Sequence, residues 1–193
     1  MIKTAVAANP YIEQLKDKST QDVPQVDYLI IAHPDDRMVT ALKSAFSEYQ
    51  LAILTIPQFG WDMSGDAEQE VVQWAVEELN VKGVLLVGHS QGGFPNEQVQ
   101  LFNGSSDRQS ASGRQGNPLL ERVRQAQAAL VKSEQHFVDQ LQGLVSLPSL
   151  SEKTLRDPSW IQGLFYRAES GIFCLVDPQS GSFQALINDS CIA

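Results

Sequence analysis

Two short turns carry the reactive side chains of this sequence, and their histidines stand 56 residues apart. The first reads His33-Pro34-Asp35-Asp36-Arg37 and the second Gly88-His89-Ser90-Gln91-Gly92-Gly93. Each brings an imidazole; the first adds carboxylates and a guanidinium, the second a hydroxyl on a glycine-rich turn. Two imidazoles and a carboxylate (His33, Asp35, His89) are the donor types of a catalytic metal site, where three protein ligands leave a position for water. Ser90 suggests a different chemistry. Gly88-His89-Ser90-Gln91-Gly92 satisfies G-x-S-x-G after an apolar run, the frame of a nucleophile elbow.

A serine hydroxyl becomes a nucleophile only when an imidazole accepts its proton, and in such folds that imidazole follows the serine in the chain. The histidines are His33, His89 and His136, so His136 is the sole later candidate. Its neighbours, SEQHFVDQ, place it inside a helix instead of a terminal loop, which leaves hydrolysis at Ser90 as an alternative without an evident base. Zinc deacetylases that open with His-Pro-Asp-Asp-Glu match residues 33–36, but Arg37 replaces the acid and no later His-x-x-His follows. A cation beside the ligands also opposes metal binding.

Both turns need strands to present them. Val26–Ala32, VDYLIIA, is an apolar run that Pro34 stops, since proline cannot continue a ladder. Gly83–Val87 is a second, bounded by glycine. Between them the pattern predicts a helix over Met38–Tyr49, a strand over Leu51–Ile56, and an irregular connection over 58–65. A helix starting at Asp66 follows, with Gln69 in a capping-box position and Val71, Trp74, Ala75 and Leu79 inward. Alternating strands and helices with short joints predict an α/β fold, a mostly parallel central sheet flanked by helices. In such sheets ligands bind at the carboxyl edge. Residues 1–18 form an amphipathic helical arm in this reading, with Ala5, Ala8, Tyr11, Ile12 and Leu15 on one face. The Ser/Gly-rich stretch 102–117 reads as a flexible loop, 118–142 as a long helix, and 160–165, 172–176 and 183–187 as short strands. No repeat or second domain is visible, so 1–193 reads as one domain.

Taken together, the two turns resemble the β-class carbonic anhydrases, in which one strand ends in Cys-x-Asp-x-Arg and a later one in His-x-x-Cys-Gly. The spacing of the two motifs is the same. The run from Glu68 through VKGVLLVGH and the pair WIQGLFYRAESGIF also have that family's look, so the likeness covers roughly 5–187 apart from 102–117. The resemblance implies a zinc held by two thiolates and a histidine, and dimers clasped by N-terminal helices. Here His33 takes the first cysteine position and Gly92, which has no ligand atom, takes the second. Asp35 and Arg37 keep the family's carboxylate–guanidinium dyad, which in relatives orients the catalytic aspartate or frees it to cap the metal. The expectation is therefore a divergent member with a degenerate zinc site and no cofactor, inactive in carbon dioxide hydration and kept for binding or assembly. The alternative is an active hydratase whose zinc is held by His33, Asp35 and His89. Expected partners are a second copy, as homodimer or higher homo-oligomer, or an unidentified protein.

Composition narrows the partners further. A net charge of −9 repels phosphate backbones, which argues against nucleic acid. No apolar run approaches the roughly 18 residues of a membrane span, and no signal-like segment opens the chain. The expectation is a cytoplasmic protein. Cys174, in an apolar run, reads as a core thiol and Cys191 as a tail thiol.

Overall fold

The structure, a computed structural model, describes residues 9, 11–13, 15, 26–56, 66–90 and 118–186. In chain order the elements are β1 (Tyr28–Ala32), α1 (Asp36–Ala45), β2 (Leu51–Thr55), α2 (Asp66–Glu78) and β3 (Gly83–His89). They are followed by α3 (Pro118–Val145), α4 (Pro148–Arg156), β4 (Ile161–Arg167), β5 (Ile172–Val176) and β6 (Phe183–Ala185). These strands form one sheet in the order β2-β1-β3-β4-β5-β6. The first four pair in parallel, while β5 and β6 turn back antiparallel, as the short joints after β4 require. This is the expected α/β architecture.

Because β1 and β3 are central and buried on both faces, they read as unbroken apolar runs instead of alternating ones. Leu29, Ile31, Val84, Leu86 and Phe165 share one apolar cluster with Val71 and Ala75 of α2 and with Phe137, Leu141 and Leu144 of α3. On the other side Ile30, Ala32, Leu85, Val87 and Leu164 meet Met38 and Leu42 of α1. Tyr11–Glu13 and Leu15 are helical, and Ile12 and Leu15 join the first cluster, so this part of the arm is docked on its own core. Apart from Asn9, the rest of the arm lies outside the described residues, as do the 58–65 connection, the 102–117 loop, Gly92 and Cys191. Cys174 is a buried thiol, as expected.

Several boundaries differ from the sequence reading. β3 continues through Gly88 to His89, because β4 lies alongside and pairs with both residues. Gly88 serves close packing instead of a turn: a Cβ there would collide with the Phe137 ring. α1 begins at Asp36, two residues early, because Asp35 caps it. α3 runs 28 residues to Val145, and α4 follows where no helix was expected. Pro148 opens α4, a position where its missing N–H costs nothing, and Leu150 anchors it in the core.

Candidate functional site

Ala32 and Val87 are register partners on adjacent parallel strands, so the chain leaves β1 and ends β3 side by side at the carboxyl edge. His33 is the first residue past β1. Pro34 ends the ladder, and the Asp35 amide donates back to the His33 carbonyl at 2.8 Å, turning the chain into α1. His89 is the last residue of β3, paired with Tyr166 of β4. His33 is half-buried and His89 buried. Their rings lie 5.1 Å apart at 58°, with His33 Nδ1 and His89 Nε2 at 3.3 Å. The structure thus brings together two histidines distant in sequence.

Both imidazoles titrate below histidine's ordinary 6.5. For His33 the cause is burial, opposed by the Asp35 carboxylate. For His89 burial acts first and the charge of His33 second, with Asp35 and Glu169 opposing and Arg37 adding to the depression. Near neutral pH both rings are neutral, the state that either ligates a metal or shares a hydrogen bond.

Asp35 and Arg37 are also near one another. Asp35 Oδ1 accepts the Met38 amide at 2.9 Å, capping α1 at its positive end. Arg37 approaches Asp35 Oδ2 only to 3.7 Å and is 71% exposed, so this ion pair is weak. Burial pulls the Asp35 pKa up. The Met38 amide and the charges of His89 and Arg37 outweigh it, and the carboxyl titrates below 3.8.

Ser90 has a different environment from a nucleophile's. Its hydroxyl donates to Glu169 Oε2 at 2.7 Å and accepts the Ala168 amide at 3.1 Å. The proton is therefore directed at a carboxylate on the β4–β5 turn. A second tie holds this turn, Arg167 to Glu134 of α3 at 2.8 Å. Sequence reasoning missed Glu169, because a contact spanning 79 residues leaves no local pattern. The one local cue was the turn itself, where Gly171 adopts φ +70°. His136 lies inside α3 as its neighbours required.

No sequence-family model matches the chain, and no curated protein matches it. Solved structures do. The chain superposes on the β-carbonic anhydrase CafA of Aspergillus fumigatus with a TM-score of 0.51 at 20% identity, over 81% of this chain and 77% of that one. Against the β-carbonic anhydrase CcaA the TM-score is 0.54 at 18% identity, over 92% and 84%. The chain has the β-carbonic anhydrase fold. At these identities the likeness establishes the architecture, and the chemistry must be argued from this chain's residues.

The β-carbonic anhydrase fold implies zinc, and the residues present can be tested against it. On a tetrahedral zinc with nitrogens at about 2.0–2.1 Å, two imidazole nitrogens stand roughly 3.3 Å apart. The His33–His89 separation of 3.3 Å meets that condition. The donor count does not. Among the described residues no group of three or more His, Cys, Asp or Glu is placed to hold a metal ion. Asp35 turns Oδ1 to the α1 cap, Glu169 turns Oε2 to Ser90, and Gly92 has no side-chain donor. Spacing alone fits zinc, but a catalytic site needs three protein ligands, and the described residues place only these two imidazoles for it.

Proposed function

We propose that this chain is a β-carbonic-anhydrase-like protein with a degenerate zinc site, inactive in carbon dioxide hydration and retained for binding or assembly. The reading rests on one observation: the two strand ends that would grip a metal present two donors, His33 Nδ1 and His89 Nε2, which face each other. Asp35 and Arg37, in the dyad positions, then act to lock the β1–α1 turn. The chain works as one domain spanning 1–193, in the cytoplasm, without zinc. No described helix is long and apolar enough to cross a membrane. Assembly is supported by α3, whose first half exposes Leu119, Leu120 and Val123. The partner is a second copy or another protein that covers this stripe.

A stopped-flow hydration assay on zinc-supplemented protein tests the reading. The expected rate equals that of buffer, with His33→Cys plus Gly92→Cys in one chain as the variant that regains zinc. Hydration by the unaltered chain that disappears in His89→Ala would sink it.

The 3.3 Å spacing favours one second reading, an active hydratase whose metal is held by His33, His89 and Asp35. Bound zinc would lower the pKa of its water to about 7 and so supply hydroxide. Asp35 caps α1 through Oδ1, so it would have to reach the metal with Oδ2, the oxygen that faces Arg37. The lack of a third donor set beside the two imidazoles among the described residues places this reading second.

A further inference from the structure

We infer that the His33–His89 pair has taken over the cross-linking task of a metal, joining the ends of β1 and β3 by an imidazole–imidazole hydrogen bond whose two rings must share one tautomer. The inference rests on the proposed loss of the metal and goes on to say what holds the site together without it. A metal at this edge does two jobs: it supplies chemistry, and it ties two turns that leave adjacent strands. Only the second job survives when the ligand count falls to two.

The shared tautomer follows from which atoms meet. The contact joins His33 Nδ1 to His89 Nε2 at 3.3 Å. One nitrogen must carry the proton and the other a lone pair. If His33 donates, it carries hydrogen on Nδ1, and His89, accepting at Nε2, carries its own hydrogen on Nδ1. If His89 donates, it carries hydrogen on Nε2, and His33, accepting at Nδ1, carries its own on Nε2. The rings are therefore both Nδ1–H or both Nε2–H. A mixed pair would set two hydrogens or two lone pairs against each other. Two imidazoles brought close for any other reason carry no such correlation.

The surroundings permit this arrangement. Asp35 stands at the α1 N-terminus with its Oδ1 on the Met38 amide, and the Ser90–Glu169 bond closes the other side. These contacts hold both turns in place. The cross-link has a clear donor–acceptor requirement and no metal requirement.

Long-range proton–nitrogen correlation spectra of ¹⁵N-histidine-labelled protein, recorded well above pH 6.5, read the tautomer of each ring directly. The chain has three histidines, so His136→Gln removes the signals that do not belong to the pair. The expected spectrum shows His33 and His89 locked in the same tautomer, unchanged by one equivalent of zinc chloride. Opposite tautomers, or both rings averaging between tautomers, with no response to zinc, would overturn this inference and leave the proposed function standing. Stoichiometric shifts of His33 Nδ1 and His89 Nε2 on adding zinc would overturn both.

Discussion

Ser90 and Glu169 are joined by a 2.7 Å hydrogen bond that fastens the end of β3 to the β4–β5 turn, and the Ala168 amide returns a bond to the same hydroxyl. This clasp turns the Ser90 proton toward a carboxylate instead of an imidazole, so the G-x-S-x-G pattern here lacks the geometry of a charge-relay nucleophile. Ser90→Ala leaves the part-buried Ala168 amide without its acceptor, so the expected loss is about 1 kcal/mol in urea unfolding. The unaltered protein should also resist fluorophosphonate labelling. An unchanged unfolding midpoint would show that the bond contributes nothing, and a labelled Ser90 would restore the nucleophile.

Asp35 and Arg37 separate cleanly by substitution. Asp35→Ala removes the α1 cap and should cost about 1 kcal/mol, while Asp35→Asn, which caps as well, should cost much less. Arg37→Ala, at an exposed 3.7 Å pair, should stay within about 0.5 kcal/mol of the parent. Thermal melts of the three variants decide the matter. Equal losses at Asp35→Ala and Arg37→Ala would mean that the ion pair, not the cap, holds the turn.

The buried imidazoles set a pH dependence for the metal-free chain. Both titrate below 6.5 when folded, so below 6.5 the unfolded chain binds more protons than the folded one. Stability is therefore full above 6.5 and falls as the pH drops from 6.5 toward the lower folded values. In chelator-treated protein the urea midpoint should decline between about pH 7.5 and 5.5, with a shallower decline in His89→Gln. A midpoint that rises on acidification would contradict the assigned direction.

Gly88 and Phe137 make the tightest packing demand near the site. A Cβ at 88 would meet the Phe137 ring. Gly88→Ala should therefore cost about 1–3 kcal/mol, and Phe137→Leu in the same chain should recover part of that loss. Additive losses in the double variant would show that the two residues do not share the space.

Much of this architecture was legible in the sequence, for a physical reason. Short joints between alternating strands and helices leave a parallel sheet as the economical packing, and the resemblance of the two turns to the family's paired motifs implied that the ends of Val26–Ala32 and Gly83–Val87 meet. The buried thiol Cys174 was readable from its apolar neighbours in the same way. What escaped was non-local or weakly signalled. The Ser90–Glu169 bond joins segments that no pattern links. The end of β3 was set by pairing with β4, against glycine's local preference for a turn. α4 lacked a side-chain cap and announced itself only through Pro148. Whether the histidines grip an ion depends on a donor count that only the folded arrangement reveals.

The central claim is tested most directly by the zinc content of the protein after incubation with excess zinc and desalting. The account predicts far less than one zinc per chain, with no change in His89→Ala. A value near one zinc per chain that vanishes in His89→Ala would contradict it.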